Sequence, residues 1–137
     1  MNKKIQIIAF IALCGLGIWY GFYQRKQLDI SNNTTLGQIE NVEYLAKGSG
    51  YFVSYNYLVN GKLLFSKSPI PYAKFNDIIF LRSILENKKL SVLYQKDNPS
   101  NSTMLFTTSE YDKHSIEIPD ESKQLVIQID SIINASK

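Results

Sequence analysis

The chain has 137 residues and a formal charge of +3, with fifteen Lys and Arg against twelve Asp and Glu. Thirteen of those bases and all twelve acids follow residue 23, so the larger part is near neutral and carries no basic stripe of the kind that tracks nucleic acid. A single cysteine, Cys14, excludes an internal disulfide and a thiolate metal site, and leaves the redox compartment unread.

Ile5 to Tyr23 reads IQIIAFIALCGLGIWYGFY, nineteen residues without a charge. A bilayer's hydrocarbon core needs about 20 apolar helical residues to cross it. The run therefore predicts a single-pass transmembrane helix, an uncleaved signal anchor lying in lipid. The main rival is a cleaved signal peptide, whose apolar core is about 7–15 residues and ends in small side chains. This run ends instead in Trp19, Tyr20, Phe22 and Tyr23, which suit an interfacial aromatic belt. Cys14 follows Leu13 and precedes more apolar residues, so it reads as a small helical residue and not as a lipidated terminus. Gly17 and Gly21 form a GxxxG, a spacing that lets two helices approach closely. The general use of glycine in membrane helices is the simpler reading, and a weak dimer is the alternative. Lys3 and Lys4 nearly balance Arg25 and Lys26. A short basic tail favours the cytoplasm, which places the carboxyl-terminal domain outside it.

Residues 24–35 read as a juxtamembrane linker and 36–137 as one small β-rich domain. Leu36 to Leu45 is a strand, although its apolar points Leu36, Ile39, Val42 and Leu45 recur every three residues. Lys47-Gly48-Ser49-Gly50 is a turn. Tyr51 to Val59 alternates strictly, with Tyr51, Val53, Tyr55, Tyr57 and Val59 on one face. Asn60-Gly61 is the preferred dipeptide of a type I′ turn, so Lys62 to Ser66 returns antiparallel. Ser68-Pro69-Ile70-Pro71 breaks the sheet, and Asp77 caps a helix through Glu86. Leu90 to Tyr94 and Thr103 to Thr108 are further strands around a loop from Lys96 to Asn101, and Ser109 to Ser115 is irregular. Asp120 to Ala135 predicts a C-terminal helix, although Leu125, Ile127 and Ile129 also alternate, so Leu125 to Ile133 is open between helix and strand. The fold class is thus a transmembrane helix followed by a small α+β domain of antiparallel hairpins with one or two short helices.

Two segments carry a family resemblance. Tyr55-Asn56-Tyr57-Leu58-Val59-Asn60-Gly61-Lys62 resembles a Y-x-Y-x-V-x-G-K hairpin. Val92 to Leu105, with Tyr94, Asn98-Pro99 and Ser102, resembles a V-x-Y-x-x-x-N-P-x-x-S-x-L segment. Both are similar to the bacterial domain-of-unknown-function family numbered 3592, in which a membrane helix accompanies a small β-rich domain. The likeness covers Leu36 to Leu105. It implies a bacterial inner-membrane protein and supplies no catalytic residues. The apolar run within Phe75 to Lys89 departs from the family pattern, which is shorter and contains glycine there.

His114 is the sole histidine, set beside Asp112 and Ser115. No GxSxG, HExxH or phosphate-binding glycine loop accompanies it. A solvated side chain is the simpler reading, and no catalytic residue, cofactor or metal is expected. Asp120-Glu121 reads as the acidic first turn of a helix. Tyr51, Tyr55 and Tyr57 are the candidate partner-binding residues, joined by Tyr44, Tyr72 and Tyr94, because tyrosine rings bind peptide or glycan well. The competing reading places the strand's tyrosine face in the sheet's core. The leading expectation is a membrane protein whose non-enzymatic domain binds or supports a protein partner. An envelope immunity protein and an envelope hydrolase using His114 are the alternatives.

Overall fold

The computed structural model describes residues 2–44, 50–71 and 78–135. An N-terminal apolar helix leads into a five-stranded antiparallel curled sheet with three shorter helices, the architecture expected from the sequence. Helix α1 spans Lys3–Ile30, its first turn capped by the Asn2 side chain. It is long and apolar enough to cross a membrane, and Leu28 is its one buried residue.

The linker expected over 24–35 takes a different form. Helix α1 continues through Ile30 and strand β1 starts at Asn32, which leaves Ser31 between them. Gln24, Arg25, Lys26, Gln27 and Leu28 are all good helix formers. Asn32 Nδ2 donates to Leu28 O at 2.9 Å and the Ser31 N–H to Gln27 O at 3.0 Å, which ends the helix on satisfied carbonyls.

The strands are β1 (Asn32–Tyr44), β2 (Tyr51–Val59), β3 (Lys62–Pro69), β4 (Lys89–Gln95) and β5 (Ser102–Met104), in spatial order β3-β2-β1-β4-β5. Strand β1 is central: residues 32–38 pair with β4, and residues 37–44 pair with β2. Its three-residue apolar spacing comes from a β-bulge. The β2 register shifts between Ile39 and Asn41, so Glu40 is an extra residue, and Ile39 and Val42 both face inward at 0% exposure. Leu36 faces outward. Asn60 (φ 51°) and Gly61 (φ 77°) make the expected hairpin turn, closed by Val59 paired with Lys62. Strand β3 runs on past Ser66 to Pro69, whose missing N–H is tolerated at the end of an edge strand.

Curling brings the two edges together. Ser68 Oγ on β3 accepts from Met104 N on β5 at 3.0 Å and shares a hydrogen bond with Tyr55 Oη at 3.1 Å. Tyr55 Oη also meets Ser102 Oγ at 3.0 Å. Gly37 lies in close contact with its neighbours in the sheet. A Cβ there would overlap Val92 Cγ2 and stand 3.1 Å from Asn56 O.

Helix α2 (Ile78–Leu85) packs on β1, with Leu81 and Leu85 buried and Arg82 Nε donating to Val42 O at 3.2 Å. The Asp77 cap, Tyr72, Leu45 and the turn at 47–49 lie outside the described residues. Two expectations are corrected nearby. The strand over 103–108 stops at Met104, and the irregular 109–115 stretch is mostly helix α3 (Thr108–Lys113). Thr107 and Glu110 form a capping box: Glu110 accepts from the Phe106 and Thr107 N–H groups at 2.7 and 2.9 Å, which stops the strand and starts the helix. Residues 120–135 are helix α4 (Asp120–Ala135), which settles Leu125 to Ile133 as helical. Ile127 is exposed there while Leu125, Val126 and Ile129 are buried, a helical pattern and not an alternating one. Ser122 Oγ fastens α4 to Lys89 O at 2.9 Å, and Asp120 pairs with Lys123 in the first turn.

Candidate functional site

The three candidate tyrosines are in the core. Tyr51, Tyr55 and Tyr57 are 1%, 0% and 1% exposed, so their placement on a partner-binding surface is corrected. They occupy the concave face of the curled sheet, and each hydroxyl is engaged internally. Tyr51 Oη donates to Tyr44 Oη at 2.9 Å, Tyr55 Oη meets the two serines, and Tyr57 Oη donates to Pro99 O at 2.7 Å. That last bond joins the two segments on which the family resemblance rests. Burial, foremost, holds the Tyr57 hydroxyl above its ordinary pKa. Tyr94 is buried as well, and Tyr44 is half exposed.

What the hairpin offers outward is its other face. Leu58 pairs across the turn with Leu63, and Phe65 follows two residues on, opposite Asn56. Leu36 precedes Gly37, which pairs with Tyr57, and so lies at the Leu58 end of the same strip. Leu36, Leu58, Leu63 and Phe65 are 37%, 56%, 49% and 64% exposed. A polar half adjoins them: Asn56 donates to Glu40 at 2.9 Å, and Lys67 pairs with Glu43 at 3.1 Å while lying over the Phe52 ring. The sequence carried this signal in Leu58, Leu63 and Phe65, apolar at the positions where a one-sided sheet places polar residues.

A second feature is a groove of about 410 Å³ between the end of α1, the β3–β5 seam and α3. Arg25 and Asp29 contribute from α1, Lys67 from β3, and Glu110, Lys113 and His114 from α3 and its cap. His114 Nδ1 stands 4.0 Å from Asp29 Oδ1 with the imidazole mostly covered. Among the described residues no hydroxyl hydrogen-bonds to that ring, and no group of three His, Cys, Asp or Glu side chains could hold a metal ion. Asn101 Nδ2 donates to Gln24 O at 2.9 Å, so the β4–β5 loop is fixed against α1.

No family model, curated protein or solved structure matches the chain. Gly17 and Gly21 have nothing within 4 Å of where a Cβ would stand, and Cys14 is exposed on the same helix.

Proposed function

We propose that the chain is a single-pass membrane protein whose β-rich domain binds a protein partner through its outer sheet face and performs no catalysis. Ile5 to Tyr23 lies in the bilayer of a bacterial inner membrane, with Trp19, Tyr20 and Tyr23 at one interface. The domain stands on the extracytoplasmic side. The length of α1 supports the anchor. Nineteen residues rise about 28 Å against a hydrocarbon core of about 30 Å.

The observation that carries the reading is the exposed apolar strip of Leu36, Leu58, Leu63 and Phe65 on the outer face of the sheet. Contiguous apolar surface with a polar rim is the usual signature of a docking face. A weak dimer through Gly17 and Gly21 belongs to the same reading, because among the described residues nothing lies within 4 Å of where a Cβ would stand on either glycine.

A photo-crosslinking side chain at position 65 in cells tests the docking face. A discrete adduct from position 65, absent when the same group stands at exposed Ile127 on α4, is the expected result. Equal adducts from both positions, or none from 65, would remove the docking face.

A further inference from the structure

The groove beside α1 is lined by charged side chains. Cations come to it from three elements: Arg25 from α1, Lys67 from β3 and Lys113 from the last turn of α3. Lys67 is partly occupied by Glu43. Arg25 and Lys113 have no carboxylate within ion-pair distance among the described residues. The two acids of the groove are both engaged. Glu110 Oε2 accepts from Phe106 N, Thr107 N and Thr107 Oγ1, and Asp29 faces His114. Two unpaired cations therefore converge on a concave space with one net positive charge, which suits a phosphate group with its oxygens spread between donors.

Depth selects the source of that phosphate. Arg25 and Asp29 are two and six residues beyond Tyr23 on a continuous helix, about 3 and 9 Å along its axis. The headgroup zone flanking a hydrocarbon core is about 5–8 Å thick on each side. We infer that the groove receives the phosphate of an anionic phospholipid headgroup, held by Arg25 and Lys113. This rests on the reading of α1 as a membrane anchor. The lipid then fixes the domain's tilt over the membrane, because one cation sits on the anchor and the other on the domain.

The test uses the full chain in vesicles of phosphatidylcholine mixed with phosphatidylglycerol. Lipid retained after mild detergent extraction is counted by native mass spectrometry. Phosphatidylglycerol should be enriched over phosphatidylcholine, and Arg25→Gln and Lys113→Gln should each lower that enrichment by about fivefold. Lys26→Gln, at the same depth but outside the groove, should leave it unchanged, and Arg25→Lys should keep most of it. Near-ultraviolet circular dichroism of each variant checks that the domain is folded. A loss in Lys26→Gln equal to that in Arg25→Gln would reduce the effect to unspecific surface charge and overturn the site. Equal retention of both lipids by the wild-type chain would do the same. Inorganic phosphate added to the chain in uncharged detergent gives the free-phosphate arm. Line broadening of its phosphorus resonance that Arg25→Gln abolishes, without any lipid enrichment, would reassign the groove to free phosphate. Alkaline carbonate extraction separates the premises: a chain that leaves the vesicles overturns the anchor, while one that stays without lipid preference overturns the groove alone.

Discussion

Tyr111→Phe removes the hydroxyl that Ser91 engages in the core. Beyond Met104, strand β5 no longer pairs with β4, yet β4 continues beneath α3. The Ser91 carbonyl there accepts from Leu105 N at 2.9 Å, and the Ser91 N–H donates to Tyr111 Oη at 3.0 Å. The tyrosine hydroxyl thus replaces the missing strand at the point where the sheet edge is covered. Tyr111 is 0% exposed and Ser91 is 4% exposed, so water does not reach the bond. Phenylalanine keeps the ring and its packing and removes only the acceptor. The Ser91 N–H is left buried and unpaired, which costs about 1–3 kcal/mol. Each kcal/mol lowers Tm by about 4–8 °C in a domain of this size. The assay is thermal unfolding of the full chain in mild detergent, followed by near-ultraviolet circular dichroism, since α1 stays helical in the micelle. Hydrogen exchange at Ser91 gives a local reading. A Tm within about 1 °C of wild type, at the error of the size scaling, together with unchanged Ser91 protection, would refute the assignment.

Burial, the largest cause, raises the pKa of Tyr111 and of Tyr57 above the ordinary 10.0. The unfolded chain therefore loses its tyrosine protons before the folded one does. The stability these groups contribute is intact below about pH 10 and is lost as pH rises through their higher folded values. Urea midpoints should hold from neutrality to about pH 9 and fall above 10, less steeply in Tyr111→Phe; a flat profile through that window contradicts the prediction. Gly37→Ala should destabilise by about 1–3 kcal/mol, because its Cβ overlaps Val92; an unchanged urea midpoint would show that the curl has room to spare. Phe65→Ser should leave stability within about 0.5 kcal/mol of wild type while removing the crosslinked partner; loss of fold would place Phe65 in a structural role.

The hairpin was legible because Tyr51 to Val59 alternates without interruption and Asn60-Gly61 admits few other turns. The same alternation names two faces without saying which is wet. Aromatic content offered the tyrosine face as a binding surface beside the core reading, and the curl of the sheet around it decides for the core. The driving contacts, Ser68 with Tyr55 and Met104, join residues 13 and 36 apart in sequence and leave no local trace. Strand β1 was harder to read, since its bulge at Glu40 turns a two-residue period into a three-residue one. Helix α3 had a readable start in Thr107 and Glu110, masked by the apolar Met104-Leu105-Phe106 that resembles a strand. The groove was invisible in the sequence. Arg25, Lys67 and Lys113 are ordinary charged positions until the fold brings their three elements together.

We propose that α1 carries the domain across a membrane and displays it on the far side. Protease access to a carboxyl-terminal tag in intact spheroplasts and in lysed cells tests it most directly. Digestion of the tag in intact spheroplasts, with α1 left in the membrane fraction, is the expected result. Protection of the tag until lysis would contradict it by placing the domain and its partner in the cytoplasm.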